Sequence, residues 1–135
     1  MYKEERQLRA IGYCRVACND KDTDKKIEHQ KERIGERAMM EDLELVECYE
    51  EVGKASDVLQ EIYDFCEEDN DIYYLLVSDF TRISRNTKEV EVWISKFLGL
   101  GMEILWADKS PIDESVSNRN RSFTEIYVPN LSREY

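Results

Sequence analysis

Three arginines in this sequence are placed to do chemistry. Arg15 interrupts the apolar run LRAIGYCRVA (8–17), and Arg82 and Arg85 lie three apart in FTRISRNT (80–87). A guanidinium is planar, permanently charged and forks to two oxygens at once, so three of them converging on one sheet edge suit a phosphate. The helix after Arg85 would add backbone N–H donors at its start. The competing possibility is that each arginine pairs with one of the chain's many carboxylates. Strand alternation puts Tyr13, Arg15 and Ala17 on one face. If the stretch around Arg82 has begun to coil, Arg82 and Arg85 point the same way.

The elements that must hold these residues alternate. The run 8–17 is rich in β-formers and stops at the polar CNDKDTD, as a strand does. DTDKKIEHQKERIGERAMM (22–40) carries Ile27, Gln30, Ile34 and Ala38 on one face, a helix pattern with Thr23 or Asp24 as cap. LELVECYE (43–50) sets Leu43 and Leu45 against Val46 and Cys48, a second strand, before the loop EEVGKAS. SDVLQEIYDFCEED (56–69) reads as a helix capped by Ser56 or Asp57 with Val58, Ile62, Phe65 and Cys66 inward. DIYYLLVSD (71–79) is the third strand. KEVEVWISKFLGLG (88–101) is a helix with the stripe Val90, Trp93, Ile94, Phe97 and Leu98, ended by Gly99 or Gly101. MEILWAD (102–108) is the fourth strand. This order implies an α/β fold, a mainly parallel sheet covered on both faces in three layers, with its chemistry at the carboxyl ends of the strands.

Composition narrows the classes. The 135 residues suit one domain able to bury a core without disulfides or metal. No apolar run approaches the ~20 residues of a membrane span, and MYKEERQLRA lacks a signal-peptide core, so a cytoplasmic protein is expected. Cys14, Cys18, Cys48 and Cys66 form no C-x-x-C pair, and His29, the single histidine, falls on a charged helix surface. Reduced thiols packed as small hydrophobes are expected, with no metal site and no cofactor. The five glycines supply no phosphate-cradling loop. Net charge is −11, and residues 41–71 hold thirteen acids against Lys54 alone, so the rest of the chain is near neutral. Such a surface repels a phosphate backbone except locally.

Here a resemblance becomes specific. IGYCRVACND…IEHQKERI resembles the opening of the serine recombinases, the resolvases and invertases, with their Y-x-R-V-S strand and a glutamine on the next helix. VSDFTRISRNT resembles the family's D-R-L-x-R-[ND] stretch, and GLGMEILWADKSPIDES the strand that follows it. The likeness runs from about Ile11 to Ser115. It implies the resolvase fold with the first strand central, and a chemistry in which a serine hydroxyl attacks a DNA phosphodiester to form a 5′-phosphoserine link, arginines neutralising the phosphate without metal. Residue by residue it implies that Tyr13, Arg15, Gln30, Arg82 and Arg85 match site positions and that Glu51 matches the acid after the second strand.

The departures matter as much. The nucleophile position is Ala17, which has no hydroxyl. Thr81 stands where an acid precedes the second-motif arginine, with Asp79 nearby. The arginine of the loop after the second strand is missing, and only Lys54 could stand in. Cys18, one residue past Ala17, is a poor substitute nucleophile, because a continuing strand would turn it to the other face. The resemblance implies a resolvase-like catalytic domain over 1–117 and a tail over 118–135, where a family member's long helix would start. Pro129 would break such a helix at about 3 kcal/mol. The expectation is therefore a recombinase catalytic domain whose own cleavage is lost or impaired, binding DNA weakly and without sequence preference, monomeric or weakly dimeric. The alternative is a recombinase-derived module without enzyme activity that binds a phosphate group or a partner protein, such as a full-length recombinase subunit.

Overall fold

Alternating apolar strands and amphipathic helices settle into a single parallel sheet. The computed structural model of the chain describes residues 7–69 and 71–108. Its elements are β1 (Leu8–Val16), α1 (Thr23–Met40), β2 (Leu43–Val52), α2 (Asp57–Glu68), β3 (Ile72–Val77), a 3₁₀ turn (Phe80–Arg82), α3 (Thr87–Gly99) and β4 (Glu103–Trp106). The strand order is β2-β1-β3-β4 with every pair parallel, so β1 is central as expected.

The two faces of β1 explain the layers. Ile11 and Tyr13 pack with Leu59 and Ile62 of α2 and with Val90, Ile94 and Phe97 of α3. Ala10, Cys14 and Val16 pack with Ile27, Ile34 and Ala38 of α1 on the other side. Gly12 lets α1 and β2 close on β1: a Cβ there would lie 2.6 Å from Cys48 Sγ and 3.0 Å from Ile34 Cγ2. At the end of α3, Gly101 takes φ +83°. Its N–H donates to Leu98 O and that of Met102 to Phe97 O, which is the Schellman closure that the glycine pair suggested.

Three expectations are corrected. β2 runs on to Val52, pairing Arg15 with Glu51 and Val16 with Val52, so Glu51 belongs to a strand and not to the loop. On α2 the buried stripe is Leu59, Ile62 and Cys66, while Phe65 is 38% exposed. That helix has more apolar residues than one face can hold, so periodicity leaves its rotation open and packing against the sheet decides it. Neither Thr23 nor Asp24 is the α1 cap residue, and neither α1 nor α2 has a side-chain bond from its own cap residue. Thr23 instead buries its hydroxyl against Cys18 O (3.2 Å) and accepts from Asp20 N–H (2.7 Å).

The acids of the 41–71 segment line the exposed side of edge strand β2, at Glu44, Glu47 and Glu50, and the outer face of α2. Glu51 alone is buried. Cys14 and Cys66 are buried, Cys48 half-buried and Cys18 exposed, and all four are free thiols. No helix among the described residues is long and apolar enough to cross a membrane. The boundary at residue 117 and the tail over 118–135 lie outside the described residues.

Candidate functional site

The carboxyl ends of β1 and β3 bring Arg15, Gln30 and Arg82 together. Arg15 sits one residue before β1 ends, with its side chain on the α2–α3 face. Nε donates to Arg82 O (2.6 Å), Nη1 to Gly53 O (2.5 Å) and Nη2 to Thr81 O (3.0 Å). All three guanidinium nitrogens thus end on backbone carbonyls of the loops after β2 and β3. Arg15 staples the two loops, because their carbonyls point inward and need donors.

Gln30 is buried on α1 and treats the end of β1 as a neighbouring strand would. Its Oε1 accepts from Arg15 N–H (3.0 Å), and its Nε2 donates to Arg15 O (2.9 Å). The same carbonyl oxygen also receives a long bond from Arg82 Nη1, 3.4 Å away.

Arg82 is held far more loosely than Arg15. Its Nε is 3.7 Å from Asp79 Oδ2, too far for a hydrogen bond, and is a buried donor with no partner among the described residues. Asp79 is itself engaged in forming the 3₁₀ turn, its Oδ1 accepting from Thr81 N–H (2.9 Å) and from the Thr81 hydroxyl. Phe80 packs edge-on against Trp106 of β4 and fixes the turn from below. The coil includes Arg82 and stops before Arg85, which lies just ahead of Asn86, the residue that caps α3. Arg85 is exposed and makes no hydrogen bond or ion pair among the described residues, and Lys54 is likewise exposed.

Ala17 follows the last residue of β1 and is exposed in the bend that leads to α1. Cys18 is exposed as well, and its Sγ lies 3.8 Å from Asp20 Oδ2 in the turn that starts the helix.

Tyr13 and Glu51 form a separate, closed unit on the α2 side. The Tyr13 hydroxyl donates to Glu51 Oε1 (2.6 Å), and Glu51 Oε2 accepts from Val58 N–H (3.1 Å). Glu51 thereby supplies the first-turn cap of α2 that Ser56 does not. Burial, reinforced by the Glu51 hydrogen bond, pushes the Tyr13 hydroxyl well above the usual phenol range.

On the α1 side a cleft of about 330 Å³ opens between the first turns of the helix and the 3₁₀ turn, lined by Asp22, Lys25, Lys26, His29, Gln30 and Arg82. Lys25, Lys26 and His29 were not among the expected site residues. The available signal was their spacing: a Lys pair in the first turn of the helix after β1, with His29 one turn further on.

Comparison with known proteins agrees with the fold. The model of the resolvase N-terminal domain matches residues 10–128. No curated protein matches the sequence. Among solved structures, a resolvase family site-specific recombinase from Streptococcus pneumoniae superimposes with a TM-score of 0.66 at 19% identity, covering 95% of each chain. The N-terminal catalytic domain of TP901-1 integrase gives 0.66 at 15% identity over 94% of this chain and 99% of that one. The C-terminal catalytic domain of ISC1926 TnpA, an IS607-like serine recombinase, gives 0.63 at 18% identity over 87% and 84%. At these identities the structures establish a shared fold, and the sequence family match over 10–128 goes further: the chain belongs to the resolvase N-terminal domain family.

Proposed function

We propose that this chain is a resolvase-type catalytic domain that grips a DNA phosphate at the carboxyl ends of β1 and β3 without cutting it. The observation that carries the reading is Ala17, placed immediately after β1 beside the Arg15–Gln30–Arg82 cluster. A covalent protein–DNA link forms there only if a side-chain nucleophile attacks phosphorus, and the methyl group of Ala17 has no lone pair to do so. Loss of a serine nucleophile costs on the order of 10⁶ in rate in a hydrolase that depends on one. Arg82 and Arg85 are the arginines freest to meet the phosphate, because Arg15 already has three of its five N–H groups on carbonyls. Arg15 and Gln30 act as positioning residues that fix the strand end, and Tyr13 and Glu51 brace β1 against β2 and α2. With net charge −11, binding is weak, local and indifferent to sequence, in keeping with work on DNA in the cytoplasm.

The test is a nicked suicide duplex incubated with the wild-type chain and run on native and denaturing gels. The expected result is a mobility shift at low salt and no band that survives denaturation. A denaturation-resistant band that disappears in Cys18→Ala would make Cys18 the nucleophile and the domain an active enzyme. A band that survives Cys18→Ala would place the active site elsewhere. Ala17→Ser alone should give at most a trace of adduct, since Thr81 replaces the acid and only Lys54 stands in for the arginine of the loop after the second strand.

A further inference from the structure

The geometry points to the cleft between α1 and the 3₁₀ turn as a second backbone-phosphate subsite, in which Lys25, Lys26 and Arg82 hold a nucleic-acid phosphate neighbouring the one beside Ala17. This inference rests on the reading of the domain as a DNA-phosphate binder and adds residues of α1 to it.

Charge balance supports it first. Lys25, Lys26 and Arg82 face one carboxylate in the lining, Asp22, in a chain that is otherwise strongly acidic. Lys25 and His29 have no ion-pair partner among the described residues, and Lys26 reaches Asp20 only at 3.8 Å with both side chains well exposed. A pair that open is worth little to the fold, so the ammonium is available.

Unmet donors support it independently. Buried polar groups are normally hydrogen-bonded, yet Arg82 Nε has no hydrogen-bond partner among the described residues, where the guanidinium is tethered only by a 3.4 Å bond to Arg15 O and a 3.7 Å ion pair with Asp79. Gln30 forms the cleft wall, and one of its two amide hydrogens is taken by Arg15 O, which leaves the other for a ligand. A phosphate diester oxygen in the cleft would accept from the free Gln30 amide hydrogen and be neutralised by the lysines and the loosely held Arg82 guanidinium. The α1 helix start, which carries partial positive charge, lies on the same side. Arg15 has three of its five N–H groups on carbonyls, and this asymmetry with the loosely held Arg82 favours an anion on the α1 side.

The experiment uses the full chain and a fluorescent DNA duplex, with affinity measured by anisotropy across a salt series. Lys25→Gln/Lys26→Gln should weaken binding about tenfold at low salt and reduce the salt slope by about one, for the one phosphate that the subsite no longer neutralises. Lys96→Gln, packed on Tyr63 and Trp93 beneath the opposite face of the sheet, should leave the slope unchanged. If the wild type binds DNA and the double variant keeps the same slope, the subsite is overturned while the DNA reading stands. Inorganic phosphate, titrated against the amide resonances of residues 22–30, separates the remaining cases. If the wild type binds no DNA but phosphate moves those resonances, and the double variant abolishes the movement, the cleft takes free phosphate and the DNA source is overturned. If neither DNA nor phosphate acts there, both the subsite and the reading beneath it fall.

Discussion

The two sides of the β1 carboxyl end contain similar residues with opposite degrees of satisfaction. On the α2 side, Arg15 has every guanidinium nitrogen on a carbonyl, and Tyr13, Glu51 and the Val58 amide close a buried chain of hydrogen bonds. On the α1 side, Arg82 has a buried donor unmatched, and two lysines line an open cleft. Residue type alone does not separate a structural arginine from a ligand-binding one. What separates them is whether the fold has already supplied the partners. Arg15 already has three of its five N–H groups on carbonyls, so a phosphate gains less there than at Arg82, whose Nε has no hydrogen bond among the described residues.

Substitutions sharpen the contrast, the largest effect first. Arg15→Ala should destabilise the domain by about 3 kcal/mol, because three inward carbonyls lose a charged donor; urea unfolding measures it, and a loss below about 1 kcal/mol would show that the staple is not structural. Gln30→Ala should cost about 2 kcal/mol by leaving the N–H and C=O of Arg15 without their side-chain partner. Gly12→Ala should cost about 1–3 kcal/mol through its clash with Cys48 and Ile34, and Cys48→Ala in the same chain should recover part of that; strict additivity of the two would mean that the side chains do not meet. Arg82→Gln should change stability by no more than about 0.5 kcal/mol while weakening DNA binding, the reverse of Arg15→Ala.

Alkaline unfolding gives a smaller and more selective reading. Burial pushes the Cys66 thiol up to about 11 from its ordinary value of 9.0. A group whose folded value is raised contributes stability that is complete below its unfolded value and declines as pH rises toward the folded one. Stability should therefore start to fall above pH 9, and Tyr13 should add to the fall above pH 10, the ordinary phenol value. Cys66→Ala should reduce the slope between pH 9 and 11, where Cys14, raised by its Cys48 hydrogen bond and by burial, also contributes, and Tyr13→Phe should reduce it above 10. An unchanged profile in either variant would mean that its group titrates normally in the fold.

Much of this architecture was legible in the sequence. The four strands and three helices follow from hydrophobic periodicity, and Gln30 on the buried face of α1 follows from its spacing with Ile27 and Ile34. Ala17 was legible too, as a missing hydroxyl at the end of a recognisable strand. The partners of Arg15 were not, because the carbonyls of Gly53, Thr81 and Arg82 belong to loops 38 to 67 residues away and carry no side-chain signature. Glu51 was picked out by the resemblance, but its place inside β2 and its bonds to Tyr13 and Val58 were not legible, for a related reason. Three acids in the run 47–51 look alike in sequence, and only pairing with β1 through Val52 decides which one turns inward. The α1 lysines were hidden inside an ordinary solvated helix start until the 3₁₀ turn was placed opposite them.

The most direct test of this division of labour is to follow the two arginine Nε–H resonances by NMR while a short DNA duplex is added to the full chain at low salt. The Arg15 signal, bonded to Arg82 O, should be protected from exchange and should not move, while the Arg82 signal shifts with DNA concentration and saturates. An Arg15 resonance that moves and loses its protection, with Arg82 unmoved, would contradict the account and return the phosphate to the arginine on the first strand.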